Sequence, residues 1–321
     1  MPPADTRPLL VALRPLGLGD FLTAVPAFRA LRRAFPAHEC VLAAPAVLAP
    51  LARMTGAVDR VVDTRPLAEL PAELRRPDVA VDLHGKGPGS HRVLLDARPR
   101  RLIAFANPAI PESAGMPVWR LDEHEVLRWC RMLAENGIPA DPGDLEIERP
   151  RAAIPARAVG ATVIHPGAAH EARRWPAERF AAVARSEREL GRKVLVTGSA
   201  DEIPLAEGVA RLAGLAAESV LAGRTGLREL AAFVAAAGRV VSGDTGISHL
   251  ATALGTPSVT LFGPVSPAHW GPPPGDQLHR AIWAGHAGDP HGDRPDPGLL
   301  AIRPEDVVDE LARLEPRPAA A

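Results

Sequence analysis

The chain has 321 residues, 46% of them hydrophobic and 23% charged, which is an ordinary globular composition and enough for two domains. With 37 basic and 38 acidic residues the net charge is -1, so no overall field would attract nucleic acid or an anionic membrane surface. The N-terminal sequence lacks a basic region followed by a long apolar core, and no run of about 18 apolar residues occurs. We therefore expect a cytoplasmic protein with at most peripheral membrane contact, in which any anion site is local.

Short apolar runs alternate with helical patterns through the first half of the chain. Strands are predicted at 9–13, 40–44, 60–63 and 79–83, and a helix at about 20–35. Because these runs are apolar throughout, they indicate strands buried on both faces of a parallel sheet, with helices as crossover connections.

The stretch LGLGDFLTAVP, 16–26, follows the first predicted strand. Pro26 lacks an N–H and would clash with the carbonyl one turn back, so the regular helix should begin close to it or kink there. This leaves Asp20 in a glycine-containing loop, where its carboxylate could take a proton from a nucleophilic hydroxyl. The alternative is a capping or turn aspartate after Gly19.

A second glycine-rich stretch, LHGKGPGSH at 83–91, follows the strand at 79–83. His84, Lys86 and His91 could line a cleft there and contact an acceptor. A plain glycine-rich turn explains the same residues equally well.

The segment 140–160 mixes proline, glycine and charge without periodicity, which indicates a linker. We place the boundary near residue 155, dividing the chain into domains 1–155 and 156–321. The second domain then repeats the alternation of the first. Its predicted strands are 162–167, 194–198, 219–223, 239–243 and 258–263, and its predicted helices follow Pro176, run through Leu212, span 226–237, start at about 245 and span 303–315.

The turn HPGAAHEARRWP, 165–176, brings basic residues to the corner after the first strand of the second domain. Arg173 or Arg174 could neutralise a phosphate there, although solvated arginines would produce the same pattern. Glu202 follows the next strand and could accept hydrogen bonds from ribose hydroxyls, or serve only as a helix-dipole partner.

The sequence VVSGDTGISHL, 240–250, changes in its middle from a buried strand to a helix. Ligands of open parallel sheets bind at such corners, because backbone amides and the positive helix end converge there. Amides beside Thr245 and Gly246 could hold a diphosphate without a metal, and His249 shares a helical face with Thr245. The alternative is that Asp244 caps the helix and His249 is a surface group.

Two sets of residues bear on metal binding. Cys40 and Cys130, the two cysteines, lie in strand-like and helical patterns, which indicates neither a disulfide framework nor a metal set. The segment 271–298 is dense in proline, glycine, aspartate and histidine and is predicted to be an irregular surface loop. Its potential ligands match no metal-site spacing, so we expect no metal. They are His279, His286, Asp289, His291, Asp293 and Asp296.

Three segments taken together, 16–36, 165–180 and 242–272, resemble glycosyltransferase family 9, the ADP-heptose:lipopolysaccharide heptosyltransferase family. They occur in the family's order, and the third, SGDTGISHLATALGTPSVTLFGPVSPAHWGP, is the strongest. The resemblance implies an α/β GT-B fold, with two Rossmann-like domains whose parallel sheets face each other across a cleft. The N-terminal domain would bind the acceptor and the C-terminal domain the nucleotide-sugar.

The resemblance also implies the chemistry. It predicts inverting transfer of a heptose or related sugar from an ADP-heptose-like donor to a hydroxyl of a glycan or glycolipid, in cell-envelope glycan biosynthesis, with no metal and no cofactor. Asp20 matches the family's proposed general base, Arg173 a basic position that meets the diphosphate, and Glu202 an acid that meets the ribose. Combining the resemblance with the positions of the turns, we predict a donor-binding set of His165, Gly167, Arg173, Glu202, Asp244, Thr245, Gly246 and His249, and an acceptor-binding set of Gly19, His84 and Lys86.

One position departs from the family pattern. Some members carry hydroxyl residues just after the His-Pro turn, where this chain has Ala168 and Ala169. Only backbone amides could contact a phosphate there.

Two other functions use the same residues. A nucleotide-sugar epimerase or hydrolase needs the donor site but no acceptor, and a nucleotide-sugar sensor needs binding without turnover. A dinucleotide oxidoreductase is less attractive, because no Gly-x-Gly-x-x-Gly follows the first strand.

Overall fold

The structure, a computed structural model, describes residues 7–150, 156–273 and 275–314. The chain divides into two compact units, Met1–Glu148 and Arg149–Ala321. The boundary predicted near residue 155 falls at 151–155, outside the described residues. The preceding segment packs on the first unit, where the Glu148 amide donates to the Met54 carbonyl at 2.8 Å.

The first unit contains a parallel five-stranded sheet in the order β3-β2-β1-β4-β5. The central strands are buried along almost their whole length, as the unbroken apolar runs predict. The fifth strand, a short edge strand, was not predicted. The strands are β1 (Leu9–Leu13), β2 (Glu39–Ala44), β3 (Arg60–Asp63), β4 (Val79–Asp82) and β5 (Arg101–Ile103).

Helices connect these strands, and the predicted helix at 20–35 is in fact two helices. They meet at Ala24, which ends the first and begins the second, with Pro26 in the first turn of the second. This position suits a residue that has no N–H to donate. The helices are α1 (Leu18–Thr23), α2 (Val25–Ala34), α3 (Ala49–Met54), α4 (Gly89–Asp96) and α5 (Glu125–Glu135).

The second unit also contains a parallel five-stranded sheet, in the order β10-β9-β8-β6-β7. Four of its strands coincide with predicted ones. They are β6 (Thr162–His165), β7 (Val194–Val196), β8 (Arg239–Gly243), β9 (Ser258–Phe262) and β10 (His279–Trp283).

All five helices predicted in this unit are present in its described residues, together with two short α-helices. The last long helix begins at Pro304, and the Asp306 carboxylate accepts from the Arg303 amide at 2.9 Å, as expected of an acid in the first turn. The helices are α6 (Ala177–Glu189), α7 (Ile203–Ala213), α8 (Leu227–Ala236), α9 (Gly246–Ala253), α10 (Pro267–Trp270), α11 (Pro297–Ala301) and α12 (Pro304–Arg313).

Two predictions for this unit were wrong. The run 219–223 forms only a single bridge, between Val220 and Val196, because its neighbour β7 offers just three residues for pairing. The segment 271–298 is not irregular throughout, since it contains β10 and the start of α11. The strand β10 forms because β9 offers it a free edge with which to pair.

Each unit has its own apolar core around its sheet. In the second unit the buried Trp175 packs edge-on against Phe180, and its indole N–H donates to the Ile302 carbonyl at 3.2 Å. Truncating such a buried aromatic costs about 3–5 kcal/mol. Within the described ranges no helix combines the length and the apolar character that a bilayer crossing requires.

Candidate functional site

The carboxyl edge of the first sheet has a point where the strand order reverses, between β1 and β4. Leu13 at the end of β1 pairs with Ala43 on one side and with Asp82 at the end of β4 on the other. The chain leaves β1 towards β2 and later returns beside β1 as β4, so the segments following β1 and β4 emerge together. Such switch points are where open α/β sheets bind ligands.

Asp20 lies on the segment that follows β1. It is the third residue of α1, so its predicted place in a loop was wrong. Gly17 is the N-cap of this helix, and Gly19 lies in its first turn. The amides of a first turn have no carbonyl partner within the helix, so glycines at these positions do not prevent the helix from forming. The side chain of Asp20 is 32% exposed, so a substrate hydroxyl can reach its carboxylate.

The pKa of Asp20 is raised above its ordinary value because burial disfavours the charged carboxylate. The Arg14 charge acts in the opposite direction, the Glu125 charge raises the pKa further, and the amides of Asp20 and Gly17 lower it. Asp20 does not cap the helix, because Gly17 holds the N-cap position and Asp20 lies in the first turn. A partly exposed carboxylate with a raised pKa is also a stronger base than an ordinary aspartate.

His84 lies on the segment that follows β4. Its amide donates to the Asp82 carboxylate at 2.9 Å, and its ring Nδ1 is buried without a hydrogen-bond partner in the described part of the chain. Burial lowers the pKa of His84. The carboxylates of Asp82 and Asp20 raise this pKa, but burial outweighs them, so the imidazole is neutral at pH 7. The predicted base and this predicted acceptor contact are therefore electrostatic neighbours.

The other predicted acceptor contacts differ in placement. Gly19 is next to Asp20 in α1, and Lys86 is exposed, with its carbonyl accepting from the Asn107 side chain at 2.8 Å. His91 cannot line a cleft, because it is fully buried in α4 and its ring contacts Asp82 at 2.7 Å. Its ring instead lies against Gly87 of the glycine-rich segment, where an added Cβ would come within 2.7 Å of Nδ1.

The second sheet reverses its strand order between β6 and β8, where His165 is paired with Ser242. Thr245 is the N-cap of α9, so the alternative in which Asp244 caps this helix is wrong. Asp244 precedes the cap and is buried. The Thr245 hydroxyl makes no capping hydrogen bond.

His249 lies one turn into α9. Its ring packs edge-on against Trp270, with the ring centroids 5.9 Å apart. The helix start at Gly246 therefore directs its first-turn amides at the switch point, with an aromatic pair beside it.

The structure distinguishes the two arginines of the turn after β6. Arg174 is used in the turn itself, because its Nε donates to the Ala168 carbonyl at 2.9 Å and its guanidinium pairs with Glu171. Arg173 instead reaches the start of α9, with Nη1 3.5 Å from the Asp244 carbonyl. Its Nε is buried with no hydrogen-bond partner among the described residues. Arg173 is therefore the guanidinium placed to meet an anion at this helix end.

His165, Gly167 and Glu202 form a second group at the same switch point. His165 Nδ1 contacts the Thr197 hydroxyl at 3.0 Å, and its Nε2 lies 3.9 Å from a Glu202 carboxylate oxygen. Burial lowers the pKa of His165, so its ring is neutral. A Cβ on Gly167 would lie 2.0 Å from Glu202 Oε1, so only glycine leaves room for this carboxylate. Glu202 also accepts from the Ser199 amide at 2.7 Å, which is the helix-start role given as its alternative.

The residues considered as metal ligands are dispersed. His279 contacts the Ser258 hydroxyl, His286 contacts Asp296, and His291 contacts His170. Across 7–150, 156–273 and 275–314, no three histidine, cysteine, aspartate or glutamate side chains are grouped so as to hold a metal ion. The segment packs instead on the turn that carries Arg173, since the Ala172 amide donates to the Gly292 carbonyl at 3.1 Å.

Sequence reasoning missed the buried charges beneath Asp20. Arg14 and Glu125 are both buried and lie 3.1 Å apart. A signal for Arg14 was present, because it is a charged residue placed directly after an apolar strand. Glu125 gave no signal, since it is 111 residues away in the chain.

Comparison with known proteins gives a consistent result. The family model described as glycosyltransferase family 9 (heptosyltransferase) matches residues 116–294, more than half of the chain. Lipopolysaccharide heptosyltransferase 2 of Escherichia coli K12 is 33% identical over 153 residues, which are 44% of this chain and 43% of that protein. The chain thus matches less than half the length of this curated relative.

Solved structures match over nearly the whole chain. The Escherichia coli ADP-heptose LPS heptosyltransferase II has a TM-score of 0.74 and 24% identity, covering 95% of this chain and 98% of its own. The Escherichia coli heptosyltransferase WaaC with ADP has a TM-score of 0.72 and 18% identity, covering 96% and 100%. At these identities the likeness establishes the fold, which is the α/β GT-B class with two Rossmann-like units.

Proposed function

Because the chain belongs to glycosyltransferase family 9, we propose that it transfers a heptose or related sugar from a nucleotide-sugar to a hydroxyl of a glycan or glycolipid. One observation carries the proposal: Arg173 and the N-terminus of α9 converge at the switch point of the second sheet. This arrangement suits a diphosphate, because a guanidinium and helix-end amides both favour anions.

An ADP-linked heptose is the donor that we propose. The support is that one structural relative is an ADP-heptose LPS heptosyltransferase and that another was solved with ADP. Glu202, with its carboxylate against Gly167 and 3.9 Å from His165, is the proposed acceptor of the ribose hydroxyls. The curated relative's name supports a lipopolysaccharide-type acceptor and a role in cell-envelope glycan biosynthesis.

The proposed mechanism begins at Asp20. Its carboxylate takes the proton of the acceptor hydroxyl, and the oxygen attacks the anomeric carbon on the face opposite the nucleoside diphosphate, which inverts the configuration. Arg173 and the amides at Thr245 and Gly246 stabilise the charge that develops on the departing diphosphate. Gly19, His84 and Lys86 orient the acceptor. No step requires a metal ion, and the reaction is expected to proceed in the cytoplasm.

A thermal-shift screen tests donor binding. Sugars linked to ADP, UDP, GDP and dTDP are added separately, and the matching donor should raise the unfolding temperature because it binds only the folded state. A rise with the ADP-linked heptose that exceeds the others supports the donor proposal. Equal responses from all four, or none, would contradict it.

Product analysis tests the reaction. Wild-type protein is incubated with the donor and EDTA, with and without a lipopolysaccharide-core acceptor that lacks heptose, and the anomeric configuration of the product is determined by NMR. We expect transfer only with acceptor, inversion, and no effect of EDTA. Conversion of the donor alone would indicate an epimerase or hydrolase, and binding without turnover would indicate a sensor.

A further inference from the structure

The buried charges beneath Asp20 form one connected set. Arg14 is fully buried and donates to the carbonyls of Asp20 and Leu83. Its Nη2 lies 3.8 Å from Asp20 Oδ1 and 3.1 Å from Glu125 Oε1. A single guanidinium therefore holds the main chain on both sides of the switch point and stands between two carboxylates.

Glu125 is held in place by groups other than Arg14. It lies in the first turn of α5, accepts from the Trp129 indole at 2.8 Å and pairs with Arg128. Arg14 also lies over the Trp129 ring, 4.8 Å from its centroid. Arg14 is thus enclosed by protein groups and shielded from solvent, so its charge is weakly screened and the contacts on its two sides affect each other.

This buried set carries no net charge when Asp20 is ionised. Arg14 and Arg128 contribute two positive charges, and Glu125 and ionised Asp20 contribute two negative charges, so the set is neutral before the reaction. His84 faces Asp20 from the segment after β4, and its lowered pKa leaves it uncharged at pH 7. The negative charge of Glu125 offsets part of the effect that the Arg14 charge has on Asp20. Arg14 itself favours the ionised form of Asp20 and donates a hydrogen bond to the carbonyl of the same residue.

We propose that Glu125 and Arg14 are positioning residues for Asp20, and that Glu125, acting through Arg14, sets how strongly the Asp20 carboxylate binds a proton. The inference rests on the proposed function, in which Asp20 is the general base. Within that function it assigns a role to two residues that touch neither substrate.

Opposite substitutions provide the test. Removing the negative charge in Glu125→Gln leaves the whole Arg14 charge to act on Asp20, so the acid limb of the kcat/KM profile should move to lower pH. Removing the positive charge in Arg14→Met should move it to higher pH, each by about one pH unit. Arg14→Lys keeps the charge and should return the limb towards the wild-type position. A purely structural role would not produce shifts of opposite sign.

A control and a second measurement keep the outcome clear. Glu187→Gln removes a carboxylate that is equally buried, in the second unit, and should leave the acid limb in place. The titration of Asp20 is also followed directly, by NMR of protein labelled with carboxyl-¹³C aspartate, with Asp20→Asn assigning the signal. This readout needs no turnover, so it decides the inference even if no sugar transfer is found.

Failure of this inference and failure of the proposed function give different results. If Arg14→Met does not fold, the direction of the Glu125→Gln shift alone decides. An unchanged Asp20 titration in folded Glu125→Gln, or a shift to higher pH, overturns the inference. Full activity of Asp20→Asn would instead overturn the proposed function and leave the NMR result standing.

Discussion

The switch points of the two sheets share a topology but differ in composition. At the first, charged side chains are buried beneath the surface, with Arg14 and Glu125 0% and 5% exposed. At the second, hydrogen-bond donors come from a helix start and from the Arg173 guanidinium, and the carboxylates of Asp244 and Glu202 lie at the same switch point. We infer that the first arrangement sets the proton affinity of the Asp20 carboxylate and that the second offers hydrogen-bond donors to an anion. The same α/β topology can therefore serve proton transfer or anion binding, depending on which side chains and backbone groups lie at the carboxyl edge of its sheet.

Asp20→Asn tests the first switch point and should have the largest effect. Without a general base we expect kcat to fall by about 10²- to 10⁴-fold, while the affinity for the donor stays unchanged. Steady-state kinetics and donor titration calorimetry measure the two quantities. Asp63→Asn is the matched control, since it removes a carboxylate at the end of β3 in the same sheet. Near-normal turnover of folded Asp20→Asn would exclude it as base.

Arg173→Met tests the second switch point. Losing a charge-assisted hydrogen bond of about 1.5–3 kcal/mol should weaken binding of ADP by about 10- to 100-fold. Isothermal titration with ADP measures this, and Arg185→Met, which removes an exposed arginine on α6, should change nothing. If ADP affinity survives in Arg173→Met, the anion is bound elsewhere.

Gly167→Ala sharpens the assignment of Glu202. The added Cβ would overlap Glu202 Oε1, and because the carboxylate is the end of a flexible side chain it should move away at little cost in stability. We expect about fivefold weaker binding of ADP, the equivalent of about one hydrogen bond, and an unchanged affinity for pyrophosphate. Gly208→Ala, which meets nothing within 4 Å, is the control. Equal losses for ADP and pyrophosphate would remove Glu202 from ribose recognition.

The buried pair His91 and Asp82 should give the smallest effect, on stability. Burial alone would lower the pKa of His91, but its hydrogen bond to Asp82 and the Asp82 charge outweigh burial and raise it. The resulting stabilisation is fully present below about pH 6.5, the ordinary value, and is lost as the pH rises through the folded-state pKa. Urea unfolding of wild type and His91→Gln at pH 5.5–8.5 should show their difference in unfolding free energy shrinking as pH rises. A constant difference would contradict the pairing.

Much of the fold follows from local sequence. The apolar runs predicted eight of the ten strands found in the described part of the chain, and Pro26 indicated where the first helical segment breaks, because periodicity and proline sterics act within a few residues. The edge strands β5 and β10 escaped prediction, since they form only by pairing with an edge already in place. Propensity alone cannot show that such an edge is available.

The candidate site divides in the same way. The sequence alone, through its resemblance to a known family, singled out Asp20, Arg173, Glu202 and the corner at 244–249. The pairing of β6 with β8 brought the turn after β6 to Asp244, which lies 71 residues beyond Arg173, and the contacts of Arg174 within that turn left Arg173 to reach it. Tertiary packing likewise placed Glu125 against Arg14, 111 residues away, and thereby set the surroundings of Asp20. The physical reason is that chain geometry determines a helix or strand locally, whereas a pKa depends on every charge and every buried surface nearby, whatever its distance in sequence.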